Sequence, residues 1–310
     1  MKRRKRWLVG SVIAFAMFAV LLFFAHPWLA ITERSGGKVM VVEGWMEDEA
    51  IVAAARLFKE GGYEHVYTTG TTRPFAYYLV PGARVDLTGL PPSATSMEIG
   101  VAGLPACSVI VIAGIDTLLS VPVSQWVTTH GVDRIAPLGD LRIVAYPPYP
   151  QPGPPSVFIH SLRIAGTNAH ALALDISCVG PDSTWRQGAP TYAHHCAHVL
   201  EKSGIPSGSI TPVPAGGDPI SRSWANASTL AFHLGGKNIA ALDVVTLGVH
   251  ARRSRALYRE AFGPSVQVGV ISIPDPECPQ QGWWKRKKGW YLMLKEIAGS
   301  QESRAVEVAR

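Results

Sequence analysis

The sequence lacks the short signatures of several common catalytic folds. It contains no G-x-S-x-G nucleophile elbow, no phosphate-binding Walker loop and no G-x-G-x-x-G dinucleotide turn. Its four cysteines include no C-x-x-C pair, so zinc-ribbon or thioredoxin-like chemistry has no support. Either Cys178 pairs with Cys196 in a disulfide, or all four cysteines are free thiols. These absences remove the main marker of standard hydrolases, kinases and dehydrogenases.

A glutamate is missing from the one histidine-rich run. His194, His195 and His198 lie on a predicted helix, and the i, i+4 pair has the spacing of shared metal ligands. The metalloprotease position between them holds no glutamate, so H-E-x-x-H chemistry is excluded. We interpret these histidines as structural or exposed side chains, and we predict neither a metal site nor a cofactor.

Charge is absent from residues 7 to 25, and this run is long enough to cross a bilayer as a helix. Trp7 and Trp28 bracket it, as interfacial aromatics do. Small residues are missing at the −3 position of the possible cleavage sites, which disfavours the alternative of a cleaved signal peptide. We therefore predict a cytoplasmic basic stub at residues 1–6 and a transmembrane anchor at 7–30. The remaining chain would lie outside a bacterial inner (plasma) membrane, in the periplasm or its equivalent.

The net charge of +6 comes from two local clusters. Five cationic residues lie in positions 2–6 and four in positions 285–288, and the rest of the chain is slightly acidic. A broad basic face is therefore lacking, and we predict no nucleic-acid partner. The second cluster alternates with tryptophans at 283, 284 and 290, so it either rests on anionic lipid or is an exposed helix whose tryptophans pack inward. The oligomeric state is open.

Alternating strand and helix patterns occur at both ends of the chain. Strands are predicted at residues 38–43 and 65–69, and the predicted helix between them ends at Gly61-Gly62. Helical patterns return near residue 192, and strands are predicted at 209–213, 242–247 and 266–273. A closing helix is predicted from Trp283 to Ala298. We therefore predict an α/β domain from residues 31–74 and 186–298, followed by a flexible tail at 299–310.

Short β-like runs separated by glycine and proline fill the middle of the chain. They lie at 84–87, 96–101, 108–112, 118–123, 141–145 and 157–164. Helical periodicity is not sustained here, and this texture predicts a small β-sandwich inserted at residues 75–185.

The stretch from Ala240 to Gly263 predicts the functional corner. A buried strand is followed by Gly248 and a helix with His250 and Arg252 in its first turn. Ligands of parallel α/β sheets bind outside the carboxyl ends of the strands, where helix N–H groups and cations attract anions. Alternatively, the arginines form a solvated face. Glu43 ends the first strand at the same edge, where it either acts as a general base with His250 or pairs with Arg222 or Arg253.

Five segments form a recognisable series. They are VVEGW (41–45) with TTG (68–70), LEKSGIP (200–206), SRSWANA (221–227), LGVHARRSRALYREAFG (247–263) and WWKRKKG (283–289). In this order they resemble the YdcF/SanA/ElyC-like family of bacterial envelope proteins. The resemblance implies a Rossmann-like three-layer parallel sheet and a role in cell-wall or envelope polysaccharide metabolism. Carried over by position, its pocket comprises Glu43 and His250 as candidate catalytic residues, and Gly44, Gly70, Arg222, Asn226, Arg252 and Arg253 as ligand- or anion-binding residues. Two carboxylates of the family pattern are missing, one at Ala225 and one near His195.

The insertion is similar to β-sandwich carbohydrate-binding domains found in some relatives, on the segments IAGIDTLLSVPVS (112–124) and SVFIHSLRIAG (156–166). The calcium-binding loop of those domains corresponds to YPPYPQPGPP here, which has no carboxylate. Three aromatic residues, Trp126, Tyr146 and Tyr149, have the chemistry to stack on a sugar ring, although exposed aromatics without function are the alternative.

Two functions are therefore expected from the sequence. In the first, an envelope protein held in the lipid bilayer by residues 7–30 binds an anionic, phosphate-bearing metabolite, with Glu43 and His250 as a catalytic pair. In the second, a non-enzymatic scaffold binds polysaccharide through the insertion. The first reading makes the protein a candidate enzyme, and the second makes it a non-enzymatic binding protein.

Overall fold

The computed structural model describes residues 17, 20, 23–146, 156–216 and 221–308, with side chains up to Gly299. The strands are β1 (Val39–Glu43), β2 (His65–Gly70), β3 (Tyr77–Leu79), β4 (Arg84–Thr88), β5 (Ser96–Gly103), β6 (Ser108–Ala113), β7 (Asp116–Pro122), β8 (Thr128–Asp133), β9 (Leu141–Tyr146), β10 (Val157–Ile164), β11 (Thr167–Asn168), β12 (Asp175–Val179), β13 (Trp185–Gln187), β14 (Ile210–Pro214), β15 (Ala241–Leu247) and β16 (Gln267–Ile273). The helices are α1 (Asp48–Glu60), α2 (Tyr192–Lys202), α3 (Arg222–Leu234), α4 (Ala251–Phe262) and α5 (Lys287–Val308).

The chain divides into two compact units. Unit 1 comprises the described residues up to Thr71 and those from Tyr192 onward, and unit 2 comprises the described residues of Thr72–Thr191. The fold is therefore mixed α/β, with one parallel sheet in unit 1 and antiparallel sheets in unit 2.

Unit 1 is built on a five-stranded parallel sheet in the order β14-β2-β1-β15-β16. Successive residues of β1 point to opposite faces, as strand geometry requires. Met40 and Val42 pack with α1 and α2, whereas Val41 packs with α3 and α4. Helices therefore cover both faces of the sheet, which explains why its strands are apolar along nearly their whole length.

Unit 2 contains two antiparallel sheets that share one hydrophobic core. One has the order β11-β10-β5-β8, with β3 added on β10, and the other has the order β13-β12-β4-β9-β6-β7. Burial alternates along β4, β6 and β9, so one face of each strand enters the core. All six predicted strands of this region are confirmed. β3, β8, β11, β12 and β13 were not predicted, because they are short or carry few apolar residues.

The C-terminal helix differs from its prediction at both ends. Trp283–Lys285 forms a 3-10 turn, and α5 begins only at Lys287. The helix then runs to Val308, through most of the predicted tail at 299–310. Glutamate, arginine and alanine are good helix formers, so a polar tail of this composition continues a helix readily.

Most of the predicted anchor at 7–30, and all of the stub at 1–6, lies outside the described residues. Residues 23–29 are helical, and Leu29 is fully buried against the end of unit 1. Within the described part of the chain, no helix has both the length and the apolar character needed to cross a bilayer.

Candidate functional site

The candidate site lies at the carboxyl edge of the parallel sheet, in unit 1. Strand order reverses between β1 and β15, because the chain builds outward from β1 in one direction and from β15 in the other. Such a reversal opens a crevice in which α/β proteins bind ligands. Glu43 is the last residue of β1, and a 3-10 turn, Gly248–His250, follows β15. The structure therefore brings the two predicted catalytic residues together at this edge of the sheet, which is called the crevice below.

Glu43 is fully buried, and its two oxygens have different surroundings. Oε2 accepts three hydrogen bonds: from Thr246 Oγ1 at 2.5 Å, Ser254 Oγ at 2.9 Å and Trp45 Nε1 at 3.2 Å. Oε1 is buried and has no hydrogen-bond partner among the residues described. A buried polar atom without a partner costs about 1–3 kcal/mol, so Oε1 marks a place where a donor is needed. The nearby phenol of Tyr258 is no proton source, since burial and the charge of Glu43 raise its pKa.

His250 is held between two carboxylates. Its Nδ1 lies 2.9 Å from Glu296 Oε1, and its Nε2 lies 4.0 Å from Glu43 Oε2. The indole of Trp45 packs edge-on against the imidazole, with ring centroids 5.2 Å apart. Nε2 also lies 3.4 Å from the hydroxyl oxygen of Ser223. An imidazole in these surroundings can accept a proton at Nε2 and have the resulting charge stabilised on both sides.

Glu296 is a site residue that the sequence analysis missed. It lies on α5, is buried, and has an ion pair with Arg253 at 3.8 Å in addition to its contact with His250. Burial raises the pKa of its carboxyl, but the hydrogen bond from His250 and the charges of His250 and Arg253 outweigh burial and lower the pKa below its usual value. The sequence signal that could have identified Glu296 is its spacing. It follows Met293 by three residues, which places a carboxylate on the buried side of the helix.

Two of the three predicted anion-binding arginines have partners of their own, and the third is exposed. Arg252 donates from Nε to Trp28 O at 2.5 Å and lies over the Trp28 ring, 4.5 Å from its centroid. Arg253 is directed to Glu296. Arg222, the first residue of α3, is exposed. The described residues show no ion pair between Glu43 and an arginine. Glu43 therefore does not pair with Arg222 or Arg253 in this structure, as one alternative predicted.

Gly44 and Gly70 are required by close packing against the start of α2. A Cβ on Gly44 would lie 2.3 Å from Tyr192 O, and one on Gly70 would lie 2.5 Å from Tyr192 Cβ. Asn226, on α3, is buried, and its Oδ1 has no partner among the residues described. The two glycines therefore shape the edge of the sheet, and Asn226 adds a second unpaired acceptor.

The predicted sugar-stacking residues belong to unit 2. Trp126 is 73% exposed and Tyr146 is 46% exposed, whereas Tyr149 lies outside the described residues. Ser108, at the start of β6, lies opposite both Tyr146 in β9 and Pro122 in β7. Trp126 follows Pro122 by four residues. Both exposed aromatics therefore occur at the same end of the six-stranded sheet.

The three histidines on α2 are half-buried, and one of them joins two helices. His195 Nε2 lies 2.7 Å from Asp48 Oδ1, which joins α2 to α1. Burial lowers the pKa of both His194 and His198. Within the part of the chain that the structure describes, no three histidine, cysteine, aspartate or glutamate side chains are grouped as metal ligands.

The remaining sequence motifs have structural explanations. All four cysteines are free, so the alternative of a Cys178–Cys196 disulfide does not form here. Trp283 is buried against Trp284 and Trp290, as expected if the tryptophans pack inward. Neither feature contributes a group to the crevice.

Comparisons with known proteins add little. No family model matches the chain, and no curated protein matches it. Among solved structures, the chain is similar to one described as the EclA C-terminal domain, a sugar-binding protein. The match covers 30% of this chain and 78% of that chain at 15% identity, with a TM-score of 0.22. A likeness at this TM-score carries no argument about fold or function.

Proposed function

We propose that this protein is a membrane-anchored envelope protein of the YdcF/SanA/ElyC-like type. In this proposal, unit 1 is a Rossmann-like three-layer domain, and unit 2 is an inserted β-sandwich resembling a carbohydrate-binding domain. Unit 1 binds an anionic, phosphate-bearing metabolite of cell-wall or envelope polysaccharide metabolism. The five family-like segments support the assignment, and so does the reversal of strand order between β1 and β15.

One observation carries the binding proposal: Glu43 Oε1 is buried and has no donor among the residues that the structure describes. The other oxygen of the same carboxylate accepts three hydrogen bonds, so the side chain is rigidly held. Asn226 Oδ1 is a second buried acceptor that has no donor among the described residues. Since buried acceptors in folded proteins are nearly always paired, the missing donors are best supplied by a ligand rich in hydroxyl groups. A phosphorylated sugar has this chemistry.

The anionic part of the ligand is assigned to the beginning of α3. Arg222 is exposed there, and the first N–H groups of a helix attract anions. Hydroxyl groups would then face Glu43 while the phosphate lies beside Arg222.

The contact between Arg252 and Trp28 connects this corner with the predicted anchor. Arg252 lies two residues after His250, and Trp28 belongs to the segment 7–30 that we assign to the membrane boundary. A ligand attached to a lipid, such as a polyprenyl phosphate that carries a glycan, would meet the crevice close to the bilayer. This geometry favours lipid-linked ligands over free ones.

A thermal-shift screen of the full chain in detergent tests the proposal. Phosphorylated sugars, nucleotides and polyprenyl phosphates are added to the wild type, to Arg222→Ala and to Arg259→Ala. Arg259 is the matched control, because it is also an exposed arginine. It lies on α4, near the end of that helix that is far from His250. We expect a phosphate compound to stabilise the wild type and Arg259→Ala, but not Arg222→Ala. The proposal fails if no phosphate compound stabilises the wild type.

A second candidate function is polysaccharide binding by unit 2 without catalysis. The exposure of Trp126 and Tyr146 at one end of the six-stranded sheet favours it, since flat aromatic rings stack on sugars. Glycan pull-down with Trp126→Ala tests this idea. Trp185→Ala is the control, because Trp185 is also exposed but lies on β13, at the opposite edge of that sheet. Equal glycan retention by both variants would count against unit 2.

A further inference from the structure

Three side chains from separate elements form a hydrogen-bonded series in unit 1. Ser223 lies in the first turn of α3, His250 in the turn after β15, and Glu296 on α5. Ser223 Oγ is 3.4 Å from His250 Nε2, and His250 Nδ1 is 2.9 Å from Glu296 Oε1. The order is hydroxyl, imidazole, carboxylate, with one imidazole nitrogen facing each neighbour.

The direction of these hydrogen bonds follows from Glu296. Its ion pair with Arg253 and its hydrogen bond with His250 Nδ1 favour the ionised carboxylate, which only accepts hydrogen bonds. His250 must therefore carry its proton on Nδ1 and donate it to Glu296. In the neutral imidazole, Nε2 then presents a lone pair to the hydroxyl of Ser223. This is the tautomer that a general base needs in order to activate an alcohol.

Ser223 also lies beside donors suited to a developing oxyanion. The hydroxyl of the preceding Ser221 caps the helix by accepting from Trp224 N at 3.2 Å, and Ser221 O accepts from Ala225 N. The N–H groups of Arg222 and Ser223 precede these capped amides, and the helix offers them no acceptor. Half-buried Ser223 is therefore surrounded by a base, an orienting carboxylate and backbone donors.

We propose that Ser223 is a nucleophile, activated by His250 and Glu296, that hydrolyses carboxylic esters. This goes beyond the proposed binding of a phosphate-bearing ligand and does not depend on it. In elbow hydrolases, the G-x-S-x-G turn exposes the nucleophilic serine. This chain lacks that turn, and Ser223 lies instead in the first turn of α3. Sequence order also differs from that of elbow hydrolases, in which the carboxylate precedes the histidine.

The reaction balances with water as the only co-reactant. Ser223 Oγ attacks the ester carbonyl carbon and gives its proton to His250 Nε2, and the carbonyl electron pair becomes an oxyanion. Collapse of this intermediate breaks the bond to the alcohol oxygen, which takes the proton from Nε2 and leaves. Water then attacks the acyl-serine and gives a proton to Nε2, which returns it to Ser223 Oγ as the carboxylic acid departs.

Glu43 has a distinct place in this scheme. Its Oε2 lies 4.0 Å from His250 Nε2 and stabilises the imidazolium formed in each step. Glu43 and Glu296 thus act on opposite nitrogens of one imidazole.

A fluorophosphonate probe tests the proposal on the full chain, because it forms a bond to activated serines. We expect mass spectrometry to find the probe on Ser223 in the wild type. Ser223→Ala should lose the label and hydrolyse p-nitrophenyl butyrate about 100-fold more slowly. Ser228→Ala is the control, since this serine lies on the same helix and donates to Trp224 O. A folded wild type that neither labels nor hydrolyses the ester overturns the proposal, as does equal labelling of Ser223→Ala.

The role of Glu296 as a positioning residue has its own measurement. Glu296→Gln should slow labelling about 100-fold, and Glu296→Asp should recover part of the rate, whereas a purely structural role would make both follow thermal stability. Labelling rates that follow the unfolding temperature alone would contradict the role of Glu296 in positioning His250. Because Arg222→Ala reports on phosphate binding and Ser223→Ala on ester chemistry, failure of one leaves the other result interpretable.

Discussion

His170, in unit 2, makes the stability of that unit depend on pH. The side chain is 4% exposed and lies between Tyr77 and Arg73. Because Arg73 O is a carbonyl, Nδ1 must donate to it, at 3.2 Å, and Nε2 then accepts from the Tyr77 hydroxyl at 2.8 Å. Both hydrogen bonds are satisfied by the neutral imidazole. Burial, and then the charge of Arg73, lower the pKa of His170 from 6.5 to about 4.

The size of the effect follows from the two pKa values. The folded unit resists protonation that the unfolded chain accepts, so stability is complete above pH 6.5 and is lost as the pH falls toward 4. The two values differ by about 2.5 pH units, and at about 1.4 kcal/mol per unit the loss approaches ~3 kcal/mol.

Hydrogen exchange of β10 peptides, corrected for the intrinsic exchange rates, measures this loss between pH 7 and 4.5. We expect the wild type to lose stability in unit 2, and His170→Gln to be less stable at pH 7 but to change less with pH. His160→Gln should behave as the wild type, because His160 is exposed in the same unit. The same pH dependence in the wild type and His170→Gln would refute the reasoning.

Three further substitutions test the structure of unit 1. Gly44→Ala places a Cβ against Tyr192 O and should lower the free energy of unfolding by about 1–3 kcal/mol in urea titrations, whereas Gly208→Ala, with no atom within 4 Å, should not. Tyr63→Phe removes the 2.7 Å hydrogen bond to the buried Asp243 and should cost about 1–3 kcal/mol by the same titration, compared with no loss for the exposed Tyr291→Phe. The pKa of Glu296 is lowered in the folded state, so its contribution to the free energy of unfolding is complete above pH 4.5 and is lost as the pH falls through the folded-state value. Unfolding temperatures should therefore fall more steeply with acid in the wild type than in Glu296→Gln.

The elements of unit 1 were predictable because each strand is a short apolar run bounded by turn residues. Residues 39–43 and 241–247 are rich in valine, and paired glycines end the first helix at 61–62. The carboxyl ends of parallel strands share an edge, so the proximity of Glu43 and His250 could be expected from the order of elements alone.

The partners of these residues could not be predicted in the same way. Glu296 reaches His250 from a helix that begins 37 positions later in the chain, at Lys287. Its location depends on how α5 packs across the ends of the strands, which local periodicity does not specify. The same holds for Arg252, whose partner Trp28 comes from the other end of the chain. Spacing identified these arginines as a cationic group, but tertiary contacts decide which of them remains exposed.

The most direct measurement of the central claim compares the binding of phosphorylated sugars by the wild type and Glu43→Gln. The glutamine oxygen will face the donors Thr246, Ser254 and Trp45, which places its NH₂ group where Oε1 now lies. An acceptor is thereby replaced by a donor in nearly the same volume. If a ligand hydroxyl donates to Oε1, the variant loses this charge-assisted hydrogen bond, since the hydroxyl can only accept from the neutral amide. The dissociation constant of a sugar phosphate measured by calorimetry should then rise about 10-fold or more. An unchanged dissociation constant, with Glu43→Gln folded as the wild type, would contradict the claim that this crevice is the binding site.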